Sequence, residues 1–478
     1  MRISVNIDEN IVLLKRLFPV GRSFDIVTRE LCLGATRAYM VAINGMYNVD
    51  VMQMILSDLQ NPEFYRSRNI RKLKDYIQAK TSFGQVSLCS NIDEILDNVV
   101  KGPAAIFVDG FDEAIVIDLR KYPSRSIEEP ENEKVMRGAK DGFVETLLVN
   151  ANMIRRRIRN FSLTFESGTI GSDSKTEVVM AYVGDRAKPW LLKAVRDKLD
   201  KIDVDALTLG YKSLEELIVK KRWFNPLPSI QMTERPDVAC SYLMEGYVLL
   251  LVDNSPAALV LPGNIFQFSQ NPDDYYNNPI VGNMFRFIRN ICTLLSLYIL
   301  PVYVLIACHL TDLASKMNII ENGRTDVVEL LLFIIFAEFG IDLLQYTSSH
   351  SHGALMTPIS IVGGLVLSDT AIEMNLFSKE VLFYAAITLL STYMISSHEF
   401  SDGLRLYRIL LIVLSGFFGV YGMVAGTLLT IISVVTTPTF AGTSYLWPLI
   451  PFNKRALKAV VLRITTREAQ PERERIKG

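Results

Sequence analysis

Hydrophobic and polar positions divide the chain into two parts with different patterns. Up to about residue 275, short strand-like runs alternate with amphipathic helical stretches, and beyond it long apolar runs follow one another with few charges. In the first part, FDIVTREL is expected to pair with TRAYMVAI, AAIFVDGFDEAIVID to form a hairpin, and VDVMQMILSDLQ and NIRKLKDYIQAK to form helices. The pattern predicts an α/β N-terminal soluble region followed by an all-α polytopic membrane domain.

An internal repeat divides the soluble region in two. At an offset of 144 residues, GPAAIFVDGFDEAIVI (102–117) aligns without gaps to GYVLLLVDNSPAALVL (246–261). A helix-like stretch ends at the first glycine in both copies, which suits a helix C-cap. We therefore expect two related α/β subdomains, residues 1–135 and 136–275.

The membrane domain is predicted over residues 285–453. Residues 290–311, NICTLLSLYILPVYVLIACHLT, carry no formal charge, and a helix of that length extends about 33 Å, enough to cross the hydrocarbon core. Arg286 and Arg289 precede this run, which favours a cytoplasmic start. Four further apolar stretches are expected to cross or enter the membrane: residues 327–344, 354–368, 381–398 and 409–453.

Two of these stretches do not have the pattern of a simple span. Residues 354–368 contain a proline and a Gly–Gly pair, which is typical of a re-entrant or broken helix. Residues 409–453 are too long for one span, so we expect a helix whose small residues, in GFFGVYGMVAG, allow close packing, followed by an interfacial segment. Tyr445 and Trp447 would then lie at headgroup depth. Four full spans with non-spanning pieces, or six crossings, both remain open.

Composition supports two environments within one chain. The 478 residues include 50 basic and 51 acidic side chains, a net charge of −1, yet residues 409–453 have none of them. Together with a mean hydropathy of +0.23, this excludes a uniform soluble enzyme. No basic domain is present, which argues against nucleic acid as a partner. The five scattered cysteines predict free thiols in a reducing compartment rather than disulfides.

Both termini are expected in the cytoplasm. The start of the chain, MRISVNIDENIVLLKRLF, lacks the basic segment and long apolar run of a signal peptide. The tail, residues 454–478, has eight Lys and Arg against three Glu and is therefore predicted to be a basic cytoplasmic tail. Two cytoplasmic termini require an even number of crossings.

No catalytic or cofactor signature is present, so we expect no enzyme, no cofactor and no metal site. The sequence lacks GxxxxGK[ST], GxGxxG after a strand, GxSxG and HExxH. The repeated Asp109 and Asp253 are more typical of hairpin turns than of catalytic acids. His350 and His352 could bind a metal, but two histidines without a nearby carboxylate or thiol are more typical of a solvent-facing loop.

Acidic residues inside the apolar segments are candidates for an ion path. A carboxylate within a span is costly and usually faces a bundle interior or a water-filled cavity. Glu338 and Asp342 are four residues apart and share one helix face, and Asp369 and Glu373 repeat that spacing. The alternative is that some of these acids lie at helix ends among lipid headgroups.

The basic run IRRRIRN ends a helix-like stretch that starts at Phe143. Cations near a helix C-terminus complement its dipole, so a stabilised helix end is one interpretation. The functional alternative is a contact with another subunit or with anionic lipid through Arg155, Arg156, Arg157 and Arg159.

Several blocks of sequence resemble one protein family. VGRSFDIVTRELCLG, GFVETLLVNANMIRRRIRN, RWFNPLPSIQMTERPDVA and NPIVGNMFRFIRN resemble the GerA family of spore germination receptor A subunits, and the similarity covers nearly the whole chain. The segment AEFGIDLLQYTSSHS and the short tail are most similar to the stage V sporulation protein AF (SpoVAF) branch of that family.

The resemblance implies a function as well as a fold. It implies a multi-pass protein of the spore inner membrane, two soluble α/β subdomains, and a homo-oligomeric ring, a pentamer, that conducts monovalent cations. It also implies that the chain works with other spore membrane germination proteins and amplifies germination. Two alternatives remain open: a secondary transporter, since broken helices and intramembrane acids also suit transporters, and a non-conducting sensor or scaffold that binds a small molecule in the soluble half.

Overall fold

The computed structural model describes residues 1–34, 36–60, 85–122, 138–220, 223–310, 326–350 and 379–463, together with Leu73 and Glu133. The chain forms two compact units. The N-terminal unit contains residues 1–220 and 230–262, and the helical unit contains residues 221–229 and 263–478. The predicted helix at residues 69–80 lies outside the described residues, apart from Leu73.

The first half of the N-terminal unit is a five-stranded antiparallel sheet in the order β1-β2-β4-β5-β3. Its elements are α1 (Ile7–Leu17), β1 (Ile26–Leu33), β2 (Thr36–Ile43), α2 (Val49–Gln60), β3 (Gln85–Cys89), α3 (Ile92–Val99), β4 (Ala104–Val108) and β5 (Ala114–Asp118). Helices α1 and α3 pack on one face of the sheet and α2 on the other. Strand β4 is consequently buried at every position, which explains its uninterrupted apolar sequence.

The second half repeats this arrangement, with the strand order β6-β7-β9-β10-β8. Its elements are α4 (Leu147–Arg157), β6 (Leu163–Ile170), β7 (Thr176–Val183), α5 (Pro189–Leu199), α6 (Tyr211–Ile218), β8 (Gln231–Thr233), α7 (Pro236–Glu245), β9 (Val248–Val252) and β10 (Ala258–Leu261). The predicted α/β region with two related subdomains is confirmed, and the two aligned segments form corresponding hairpins, β4–β5 and β9–β10. The predicted start of α4 at Phe143 is wrong, because the helix begins at Leu147.

The glycine that opens each repeated segment has a backbone conformation that other residues avoid. Gly246 ends α7 as a left-handed cap with φ of 92°, and Gly102 has φ of 115° just after α3. A Cβ at Gly246 would lie 2.8 Å from the Arg186 carbonyl oxygen, so glycine is also required there by close packing.

The helical unit follows. Its helices are α8 (Asp273–Tyr276), α9 (Pro279–His309), α10 (Val327–His350), α11 (Lys379–Tyr393), α12 (His398–Val435) and α13 (Lys454–Val461). Within the described residues, α9 and α12 are long and apolar enough to cross a membrane. The predicted segment at residues 381–398 is interrupted, since α11 ends at Tyr393 and α12 begins at His398. The predicted segment at residues 354–368 lies outside the described residues.

Helix α12 is a hairpin of two antiparallel arms, not one span with an interfacial extension. Gly419 has φ of 57° and ψ of −135°, which breaks the helix between a first arm, residues 398–418, and a second arm, residues 420–435. A Cβ at Gly422 would clash with the Leu414 carbonyl oxygen, so the arms touch through their backbones. Tyr407 and Ser433, near the other end, are joined by a hydrogen bond between their hydroxyl groups. At about 1.5 Å per residue the arms extend about 31 and 24 Å.

Contacts within the helical unit give the direction of each helix. The first arm of α12 runs parallel to α9, since Arg408 reaches the Ser296 carbonyl and His309 reaches the Gly416 carbonyl. Helix α10 runs the opposite way, because its later acid Asp342 pairs with the earlier Arg405. Helix α11 also runs opposite to α9: its start packs near the end of α9, and Thr392 near its own end faces the start of α12.

Tyr445, predicted to lie at headgroup depth, is enclosed by protein, and its depth in the membrane stays a prediction. Its side chain is 1% exposed, and its hydroxyl donates a hydrogen bond to the Pro228 carbonyl at 2.9 Å. The ring packs in an apolar cluster with Leu227, Phe268 and Tyr407. The hydroxyl thus has a protein partner in the helical unit and does not need water or a headgroup. Trp447, the other predicted interfacial residue, is half-buried.

Candidate functional site

Two ion pairs join α10 to the first arm of α12. Glu338 accepts hydrogen bonds from Arg408 Nη2 at 2.6 Å and Nε at 3.2 Å, and both side chains are buried. Asp342 accepts from Arg405 Nη1 at 2.8 Å, and this second pair is partly exposed. The acids are four residues apart and the arginines three, so both pairs lie between the facing sides of the two helices.

The buried pair also reaches a third helix. Arg408 Nη1 donates to the Ser296 carbonyl oxygen of α9 at 2.8 Å. One guanidinium therefore holds α9, α10 and α12 together, in the fork geometry that suits arginine better than lysine. Loss of Arg408 would leave both the Glu338 carboxylate and this carbonyl without that donor.

A polar cavity opens beside the two pairs, within α10, α11 and α12. Its charged and hydroxyl-bearing lining residues are Glu338, Asp342, Asp402, Arg405, Arg408, Thr392 and Ser401. Three acids against two arginines leave one formal negative charge, and Asp402, which is exposed, has no ion pair among the described residues. The lining of the cavity is therefore largely polar and carries a net formal negative charge.

The structure describes two of the four predicted ion-path residues, and the ion path itself stays a prediction. Glu338 and Asp342 do share one face and line a polar cavity, but each is paired with an arginine that the sequence reasoning missed. Asp369 and Glu373 lie outside the described residues, as do His352 and the side chain of His350. Within the described part of the chain, no group of three or more His, Cys, Asp and Glu side chains could hold a metal ion.

The predicted surface contact does not hold for Arg155. Its side chain is fully buried and pairs with Asp25 through contacts of 2.8 Å from Nε and 3.2 Å from Nη2. Ser23 donates to the same carboxylate at 2.6 Å, and the guanidinium lies over the Phe165 ring. Because Asp25 belongs to the first subdomain and Arg155 to the second, the pair joins the two repeats from within.

The other three arginines of the run differ from Arg155. Arg157 is half-buried and pairs with Asp141 at 2.5 Å, and Arg156 is exposed with its guanidinium 4.8 Å from the centre of the Tyr122 ring. Arg159 is exposed. For these three, the contact with another subunit or with anionic lipid stays a prediction.

A second cluster between the two subdomains is centred on Glu166. Its carboxylate accepts hydrogen bonds from Arg22 at 2.5 Å, Tyr182 at 2.6 Å and Arg196 at 2.7 Å. Burial alone would raise the pKa of Glu166, but these three hydrogen bonds outweigh it and hold the pKa below its ordinary value. Burial, followed by the neighbouring carboxylate, raises the pKa of Tyr182 to about 12.

The depressed pKa of Glu166 predicts a pH-dependent contribution to stability. A carboxyl group with a lowered folded pKa stabilises the fold above its ordinary pKa of 4.5, and this is lost as the pH falls through the folded pKa. Glu166→Gln should therefore lower the melting temperature at pH 7, and the difference from the wild type should shrink below pH 4.5. The exposed Glu177→Gln is the matched control, and a pH-independent effect of Glu166→Gln would contradict the prediction.

Comparison with known proteins identifies the family. Residues 13–476 match the family model described as Bacillus/Clostridium GerA spore germination protein. The chain belongs to the GerA family. The match extends through the N-terminal unit and the helical unit with its two ion pairs, so the resemblance inferred from short sequence blocks is confirmed over nearly the whole chain.

Similar proteins include both sporulation and germination proteins. The chain is 34% identical to stage V sporulation protein AF of Bacillus subtilis (strain 168), over 97% of this chain and 93% of that protein. It is 28% identical to spore germination protein KA of the same organism, over 97% and 85% of the two chains. A solved structure, the N-terminal domain of the A subunit of the Bacillus megaterium spore germinant receptor GerK3, is 26% identical over 54% of this chain and 96% of that chain, with a TM-score of 0.43.

Proposed function

We propose that this GerA-family chain is an integral membrane subunit of a spore germination complex that conducts monovalent cations and thereby promotes or amplifies germination. The observation that carries the proposal is the negatively charged polar cavity beside the pairs Glu338–Arg408 and Asp342–Arg405. A buried charge inside an apolar helix bundle costs a few kcal/mol, and Glu338 and Arg408 are both buried here; such residues commonly mark an ion path.

We propose the spore inner membrane as the location, with both termini in the cytoplasm. Family membership supports a spore membrane, and the apolar helices α9 and α12 support a spanning helical unit. Because α10 and α11 run in the same direction and α12 is a hairpin, we propose six crossings, the upper value of the predicted range. The proposed domains are residues 1–135, 136–275 and 285–453, with a cytoplasmic tail from residue 454.

The proposed assembly is a homo-oligomeric ring, a pentamer, that acts with other spore membrane germination proteins. The names of the relatives, a stage V sporulation protein and several spore germination proteins, support a role in that process. Purified full-length protein should migrate as a closed ring, and mass photometry of the detergent-solubilised protein measures the number of subunits. A monomeric mass would contradict the proposed ring.

Cation flux tests the role of the cavity. Asp402→Asn removes the unpaired negative charge, and the double change Glu338→Gln with Asp342→Asn turns a formal charge of −1 into +1 because both arginines remain. We expect potassium flux through proteoliposomes to fall for Asp402→Asn and to fall further for the double change. Glu338→Lys, which reverses the charge at that position, should be worse than Glu338→Gln.

Matched controls keep this experiment interpretable. Glu329→Gln neutralises an exposed acid on the same helix α10 and should leave flux unchanged. Flux is normalised to the amount of assembled protein measured by size. If Asp402→Asn and the double change both conduct with wild-type rate and cation preference, the cavity is not the ion path.

A secondary transporter is the second candidate, because the cavity lies within the helices of one chain. Its flux should saturate with substrate and depend on a coupling ion, whereas channel flux should rise with the gradient. A protein that assembles in the bilayer and carries no flux would instead favour the sensor or scaffold.

A further inference from the structure

Large apolar side chains project from one end of the helical unit, where a soluble surface would not carry them. Trp223 is 93% exposed, Phe224 is 81% exposed and Phe452 is 68% exposed, and the exposed Leu449 and Ile450 lie close to Phe452 in sequence. We call these five side chains the aromatic rim. Single exposed apolar residues are ordinary, but two adjacent exposed aromatics beside a second apolar segment indicate a binding surface.

Two segments present the rim, and both are fixed to the same end of α12. The side chain of Asn225 donates to the Ser433 carbonyl at 3.3 Å and to Thr437 Oγ1 at 2.7 Å, which holds Trp223 and Phe224 beside the end of the second arm. The Tyr445 hydroxyl donates to the Pro228 carbonyl at 2.9 Å. The rim is therefore a property of the folded helical unit and not of loose loops.

A basic helix follows the rim at the same end of the unit. Asn453 caps α13 by accepting from the Ala456 amide, and Arg286 near the start of α9 donates to the carbonyls of Ala459 and Val460. The exposed Lys454 and Lys458 are four residues apart and so lie on one face of α13. Val461 and Leu462 are also exposed, which gives this segment both charged and apolar surface.

We propose that the aromatic rim and the two lysines form a binding surface for anionic phospholipids of the cytoplasmic leaflet. The rings and aliphatic side chains would lie at the depth of the headgroups, which aromatic side chains prefer, and the ammonium groups would contact lipid phosphates. The proposal rests on the membrane location given under the proposed function.

A lipid surface fits better than a protein partner for two reasons. The rim continues into the exposed apolar surface of the second arm, including Leu428, Ile431 and Ile432, which the proposed location exposes to lipid. The lysines complement an anionic surface, and each lysine near such a surface strengthens binding about fivefold.

Fluorescence quenching tests the position of the rim. The chain has three tryptophans, so full-length protein with Trp190→Phe and Trp447→Phe retains Trp223 alone. In liposomes with anionic lipid, bromine atoms near the headgroup end of the acyl chain should quench Trp223 strongly, and bromine atoms near the terminal methyl group weakly. Trp223 shielded from aqueous iodide yet not quenched by either brominated lipid would mean that a protein covers the rim, which would overturn the proposal.

Lipid preference tests the lysines. Lys454→Glu with Lys458→Glu should lower the preference for anionic over zwitterionic lipid, measured with spin-labelled lipids, by about fivefold or more. Lys198→Glu with Lys201→Glu, in the N-terminal unit, makes the same change of charge and should have no effect. An unchanged preference in the first variant would overturn the proposal.

Failure of this inference can be separated from failure of the proposed function. Flotation with liposomes after an alkaline wash measures insertion independently. If the protein does not insert, the proposed membrane location is wrong. A protein that inserts, with Trp223 open to iodide and not quenched by either lipid, removes the lipid surface alone.

Discussion

Replacing Arg408 by glutamine should destabilise the helical unit far more than the same change at Arg405. Arg408 and Glu338 are both buried, so the variant leaves a carboxylate without its partner inside an apolar bundle. Removing one partner of a buried pair costs about 3–5 kcal/mol. The pair of Arg405 with Asp342 is partly exposed, and removing it should cost about 1 kcal/mol or less.

Thermal unfolding of the full-length protein in one detergent measures the difference. Arg408→Gln should lower the melting temperature strongly and Arg405→Gln slightly. Combining Glu338→Gln with Arg408→Gln removes both charges and should recover part of the loss, because no unpaired ion remains. Equal effects of the two single changes would show that burial does not set the energy of these pairs.

The α/β region could be predicted because its signals are local. Alternating and helical periodicities occur within single strands and helices, and the duplication appears twice in the same sequence. The repeated strand order follows from that duplication, since two copies of one pattern reach the same sheet topology. The structure was needed for boundaries, such as the start of α4 at Leu147, for the order of the strands in each sheet, and for elements such as α1, β3 and β8.

For the two charged pairs, the sequence predicted the acidic members but not their arginine partners. The spacing of Glu338 and Asp342 indicated a shared helix face, but nothing local to those acids identifies partners more than sixty residues away. A signal was available: Arg405 and Arg408 are three residues apart and directly precede the uncharged run that starts at Ile409. Two acids and two bases at helical spacing, each among apolar residues, are natural partners.

The burial of Arg155 could not be predicted from the sequence. In the sequence it is one of four similar arginines at a helix end, and the general rule for such positions is a solvated cation near the helix dipole. The structure buries this one against Asp25, which belongs to the other subdomain. Which of the four arginines is internal depends on the contact between the repeats, and sequence periodicity contains no information about that contact.

The hairpin of α12 was missed because glycines are frequent throughout that segment. Gly416, Gly419, Gly422 and Gly426 all fit a pattern of close helix packing, and they do pack closely. The sequence does not say that Gly419 has a left-handed φ and that the packing partner is the same helix folded back. The apolar run of residues 409–435 therefore belongs to two antiparallel arms rather than to one span.

Because of this hairpin, we expect Gly422→Ala to destabilise the helical unit more than any other Gly→Ala substitution in it. The added Cβ would clash with the Leu414 carbonyl oxygen, which is backbone and cannot rotate away, so the two arms must separate. Overpacking of this kind costs about 1–3 kcal/mol, occasionally more, and backbone contact places this case at the upper end.

Gly416→Ala on the same helix is the matched comparison. Its Cβ would meet the end of the Leu331 side chain at 3.0 Å, which can move, and alanine favours a helix over glycine by about 1 kcal/mol. We expect Gly416→Ala to leave the melting temperature nearly unchanged and Gly422→Ala to lower it strongly. An unchanged melting temperature for Gly422→Ala would mean that the arms do not depend on this backbone contact.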